Sequence, residues 1–131
     1  MNSLARYIEE IVEPTFEDFR KHGTARHAFL ACVAIYHAID RVTYPKNPGN
    51  MRKEWGGASP EFKWVDRVAH HFKHVECDDE RVPISNPPSL PLSRVLAFDE
   101  PGLCHEMALR NFYFVMTKAI KFLREQAASA E

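Results

Sequence analysis

The amino-acid sequence predicts an all-α fold: a four-helix bundle with a kinked first helix and two long Pro-rich connections, forming one domain over residues 1–131. Two observations lead there. Apolar residues recur at three- and four-residue spacing along four stretches, and most of these stretches carry helix start or stop residues at an end. The composition, 45% hydrophobic and 27% charged over 131 residues, is ordinary for a globular chain. A chain of this length buries about 70% of its unfolded surface, enough for one core.

The first stretch, Ser3 to His22, places Leu4, Tyr7, Ile8, Ile11, Val12, Phe16 and Phe19 on one side and Arg6, Glu9, Glu10, Glu13, Glu17 and Arg20 on the other. Pro14 removes a backbone donor and crowds the carbonyl of Glu10, yet the apolar phase continues past it, so one interrupted helix is expected. Gly23 supplies the stop. Thr24 is placed to cap a second helix from Ala25 to about Arg41. Ala28 to Tyr36 is apolar at every position, the pattern of a central, buried helix.

Ser59, Pro60 and Glu61 form an N-cap, first-turn proline and favourable dipole charge for a third helix to about Glu76. Its stripe is Phe62, Val65, Val68, Ala69, Phe72 and Val75. A fourth helix is expected from about Leu103 to Ala127, with Met107, Ala108, Phe112, Val115, Met116, Ala119, Phe122 and Leu123 inward. Phe114 falls off this stripe. Between these helices, Val42 to Ser59 and Cys77 to Gly102 read as long Pro- and Gly-bearing connections, a length associated with lids and binding loops. The second holds Leu90, Leu92, Val95, Leu96 and Phe98, and is expected to pack across the bundle.

Seventeen Lys and Arg against eighteen Asp and Glu leave a net charge of −1, which excludes a generally basic nucleic-acid binder. The N-terminal residues run into Glu9 and Glu10 without an apolar segment, so no signal peptide is expected. The longest apolar run is about half of what a membrane span needs. Cys32, Cys77 and Cys104 are too widely spaced for a disulfide framework or a Cys-based zinc site. A reduced, soluble, cytoplasmic protein with no membrane partner is the expectation.

The chain has seven histidines. Three lie in Arg67-Val-Ala-His70-His71-Phe-Lys-His74, at spacings that put imidazoles on neighbouring turns. On a helical wheel centred on Phe72 this cluster falls about 160° from the apolar stripe, so these residues are expected on the solvent side with Lys63. The plain reading is a solvated, partly cationic helix face; the sharper one is a patch for an anion or phosphate. Alternatively, His70, His71 and His74 chelate a divalent metal with His37, which lies three residues before Asp40. Arg26, His37 and Arg41 fall within about 40° on the second helix and form a further candidate polar stripe for a ligand. No G-x-S-x-G elbow, phosphate-cradling glycine loop or H-E-x-x-H motif occurs. Cys104-His105-Glu106 are neighbours whose side chains point apart, so they make no dyad.

A short helical bundle with Arg67, six intervening residues and His74 on one helix resembles the HEPN superfamily of all-α domains, many of them ribonucleases with an R-x4-6-H motif. The resemblance implies an acid–base role for His74 and phosphate binding for Arg67, across a dimer interface, with RNA or a nucleotide as partner.

The reading of the residues themselves favours a non-catalytic binding or assembly domain. It needs no cofactor and forms a homodimer through aromatics such as Trp55, Trp64 or Phe114. The alternatives are the HEPN-like ribonuclease or nucleotide-binding domain using Arg67 and His74, and the divalent-metal bundle.

Overall fold

The computed structural model describes residues 2–23, 25–73 and 109–130. These residues are almost entirely helical, and no strand occurs among them. The chain opens with α1, residues 3–22. Asn2 caps it, its side-chain oxygen accepting from the Ala5 N–H at 2.8 Å. The same amide donates to the Ala127 carbonyl at 2.9 Å, tying the first helix to the last.

Pro14 stands in the first turn of a resumed α-helix, and the departure from α geometry lies one turn upstream of it. The α-helical turn Ser3–Tyr7 passes into a π turn, Ile8–Val12, before Glu13–His22 resumes α geometry. The N–H of Glu13 reaches back five residues to the Ile8 carbonyl, so the backbone bonds are re-partnered around the missing proline donor. In the wider turn each residue advances by less than about 100°. Leu4, Ile8, Val12 and Phe19 are therefore buried while Ile11, expected on the stripe, is 45% exposed. Gly23 ends the helix in the left-handed region (φ 52°), its N–H on the Phe19 carbonyl at 2.8 Å.

α2, Ala25–His37, is central, packed against both α1 and the helix that follows Ser59. Ala28, Ala31, Cys32, Ala34 and Ile35 are buried, while Leu30 in the same apolar run is 45% exposed, so the helix is not buried on every side. The helix stops at His37 rather than Arg41. A turn at residues 38–39 leads into a separate short helix, α3, Asp40–Thr43.

The expectation of four helices needs correcting here. The stretch from Val42 to Ser59 contains its own helix, α4, Gly49–Ala58. Gly49, Gly56 and Gly57 are poor helix formers, but Met51-Arg52-Lys53-Glu54-Trp55 between them are helix-compatible, and tertiary packing decides the outcome. Trp55 is 3% exposed, with its ring edge-to-face on Phe62 at 5.3 Å and on Phe122 at 5.6 Å. It belongs to the core and not among the exposed aromatics expected at a dimer contact.

α5, Pro60–Lys73, begins as its sequence predicts: the buried Ser59 hydroxyl accepts from the Phe62 N–H at 3.1 Å. α6, Leu109–Ser129, packs on α5 through Met116, Ala119, Ile120, Phe122 and Leu123. Its expected start at Leu103 and the connection Cys77 to Gly102 lie outside the described residues. Tyr113 stacks on Phe19 at 4.4 Å, and Arg124 pairs with Glu13, joining α6 to α1. Phe114 is 58% exposed, with the Lys118 ammonium over its ring.

Candidate functional site

Two polar arrangements stand out among the described residues, one inside the helix pack and one on its surface. The internal one is made by α4 and α5. Phe62, Asp66 and His70 follow at four-residue intervals and form one row along α5. This row lies at the edge of the apolar stripe, and α4 covers that edge. Asp66 is consequently buried, and the His70 side chain is only 13% exposed.

Arg52 of α4 meets the Asp66 carboxylate with both arms of its fork, Nε to Oδ2 at 2.7 Å and Nη2 to Oδ1 at 2.8 Å. His70 Nδ1 lies 2.9 Å from Asp66 Oδ1 and 2.9 Å from the Asp66 main-chain carbonyl. Arg52 Nη2 lies 3.3 Å from the same ring nitrogen, so Nδ1 sits between one donor and two acceptors. Tyr36 of α2 closes the cluster, edge-to-face with the His70 ring at 5.3 Å and beneath the Arg52 guanidinium at 5.7 Å. Arg52, Asp66 and Tyr36 escaped the sequence reading. The i, i+4 row through Phe62 was the available signal for Asp66.

The outward orientation expected for the histidine cluster therefore fails at His70. The row through Phe62 and Asp66 brings His70 to the edge of the apolar stripe, and the unanticipated α4 occupies the space taken for solvent. Arg67 is half-buried, its guanidinium 5.0 Å from the Trp64 ring centroid. The His71 side chain and His74 lie outside the described residues. Among those described, no three His, Cys, Asp or Glu side chains converge as a metal-ligand set.

Of the candidate stripe Arg26, His37 and Arg41, the last two border one surface hollow together with Asp40 and Tyr44, and Arg26 lies apart from them. Arg26 is exposed at the start of α2, about 16 Å along the helix from His37. Arg41 belongs to α3, beyond the break at residues 38–39. His37 Nδ1 pairs with Asp40 Oδ2 at 3.1 Å on the surface, both side chains about half exposed.

The surface arrangement gathers where α1 meets α3. The Arg41 guanidinium lies 4.9 Å from the Tyr7 ring centroid, and the Tyr7 hydroxyl donates to the Ala34 carbonyl at 2.7 Å. Burial pushes the Tyr7 phenol up from its ordinary value, with Arg41 pulling it partly back and Asp40 adding to the rise. Open hollows flank this stack. One of about 610 Å³ is bordered by His37, Asp40 and Tyr44, and one of about 520 Å³ by Arg6, Glu10 and Ile11. Tyr44 is 85% exposed, and Val42 beside it is also exposed.

Comparison of the chain with family models, curated proteins and solved structures returned no match. Among the described residues, no helix is long and apolar enough to cross a membrane.

Proposed function

We propose that the chain is a non-catalytic binding or assembly domain, acting in a reducing compartment, whose contact surface is the corner between α1 and α3. The observation that carries this reading is the makeup of that corner. A tyrosine almost fully in solvent, two further exposed aliphatic side chains and an arginine seated on a second tyrosine make a patch rich in Tyr and Arg, the composition favoured at protein interfaces. The internal charges support the same reading from the other side. Arg52, Asp66 and His70 satisfy one another and join two helices, an arrangement that serves cohesion.

Incubation of the purified chain with single-stranded RNA and with nucleoside triphosphates tests the non-catalytic part. Intact substrate after prolonged incubation is expected. Cleavage that disappears in both Arg67→Ala and His74→Ala would overturn the proposal in favour of a HEPN-like ribonuclease. Elemental analysis of untagged protein tests it independently. Stoichiometric zinc or another divalent metal lost on His70→Ala would overturn it in favour of a metal bundle.

A further inference from the structure

The clasp between α4 and α5 holds a titratable ring that the proposed contact surface does not use. We infer that His70 is a proton-operated latch on α4: with the ring neutral α4 stays docked on α5, and with the ring protonated α4 opens more readily.

The geometry turns on one oxygen. Asp66 Oδ1 lies 2.8 Å from Arg52 Nη2 and 2.9 Å from His70 Nδ1, and the two nitrogens are 3.3 Å apart. A neutral imidazole sets no charge against the guanidinium across that gap. A protonated one donates from both nitrogens and places a second cation beside the first, on the same carboxylate oxygen. Chain position decides which pairing yields. His70 and Asp66 stand four residues apart on α5, so their attraction persists whether α4 is docked or not. Arg52 alone of the three belongs to α4. Repulsion between His70 and Arg52 therefore acts across the α4–α5 contact, whereas attraction between His70 and Asp66 acts within one helix and adds nothing to docking.

Opening of α4 removes the guanidinium, leaves the carboxylate to the ring, and admits water to a side chain that is 13% exposed when covered. Each change favours the protonated ring. The open form thus binds the proton more tightly than the docked form, and docking weakens as pH falls through the range in which imidazoles titrate. The other groups around the ring keep this sign. From α2, Tyr36 meets it edge-to-face at 5.3 Å with a phenol, and the adjacent His37 is about half exposed and paired with Asp40. Lys53 and Glu54 of α4 are exposed, as are Lys118, Lys121 and Arg124 of α6, which meets α5 through apolar side chains. On α5 itself Lys63 is exposed and Arg67 lies against Trp64. Charges on α5 are common to the docked and open forms, and exposed ones are screened by water and salt.

Amide exchange of the full chain at about pH 8 and about pH 5, expressed as protection factors so that the intrinsic pH dependence cancels, tests the inference. Protection of residues 49–58 is expected to fall about tenfold at the lower pH relative to that of residues 116–127. His70→Gln cannot take up the proton, and in it the ratio of the two segments should stay the same at both pH values to within about twofold. Protection of residues 49–58 that holds or rises on acidification of the wild type, a fall shared equally by residues 116–127, or a fall that persists in His70→Gln would overturn the inference. Should that variant fail to fold, the wild-type comparison of the two segments decides by itself.

Discussion

Asp66 is the residue on which the internal polar network converges, and its environment dictates how it responds to change. Asp66→Asn keeps the volume and removes the charge, leaving the Arg52 guanidinium enclosed without its counter-ion. Breaking a buried pair in this way costs about 3 kcal/mol, to be read as a lowered urea midpoint at unchanged slope. Glu17→Gln, which removes a solvent-exposed pair with Arg20, should change stability by less than about 0.5 kcal/mol. A similar loss in both variants would contradict the burial of the first pair. Cys32 makes a second prediction. The thiol is fully buried and burial holds its pKa well above the usual range, so in a chain carrying Cys77→Ser and Cys104→Ser it should resist alkylation until denaturant is added. Tyr7 makes a third. A phenol whose folded pKa is raised contributes stability below its unfolded pKa, near 10, that is lost as pH rises through the folded value. Burial raises Tyr113 as well, so ultraviolet titration should show late-ionising tyrosines whose number falls by one in Tyr7→Phe, and alkaline unfolding should begin above pH 10. At this scale the sequence was informative about identity and less so about environment. The His37–Asp40 pair follows from three-residue spacing, and Asp66 lies four residues before His70; Tyr7 beneath Arg41 and Arg52 against Asp66 come from contacts between elements that a helical wheel does not contain.

The helices show where local signals suffice and where they do not. Ser59-Pro60-Glu61 is written strongly enough that α5 begins where its sequence predicts, and the stripe through Phe62, Val65, Val68 and Ala69 is buried as its period requires. Pro14 was legible as an interruption, but its resolution as a π turn depends on how the preceding carbonyls find donors, and this is what moves Ile11 outward. α4 was hidden because its three glycines and preceding Pro48 carry loop chemistry, while its justification is tertiary: Trp55 wedged between Phe62 and Phe122, and Arg52 clasped by Asp66. Trp55→Ala should consequently cost about 3–5 kcal/mol and, by removing the anchor of α4, increase amide exchange across residues 49–58 well beyond that in α6. Exchange raised equally in both helices would argue against α4 as a unit docked by that side chain.

For the whole molecule, one connected core runs from Leu4 and Val12 through Ile35 and Phe62 to Leu123, and the Asn2 amide bonded to Ala127 closes the two ends on each other. The helical character of the described residues followed from periodicity, because an amphipathic stripe must be buried against another element wherever it occurs. The contact face did not follow, since it is assembled from residues 3–11 and 40–45, which approach only after folding and after Ile11 has been turned outward. On the proposed reading, its separation from the Arg52–Asp66–His70 clasp divides labour within the molecule, with the clasp holding helices together and the corner offered to a partner. The most direct test of that division is amide hydrogen exchange of the full chain carrying Tyr44→Ala beside one carrying Asp66→Asn. Exchange across residues 49–58 and 60–70 should stay at the wild-type level in the first and rise in the second. Raised exchange there in Tyr44→Ala, or none in Asp66→Asn, would contradict it.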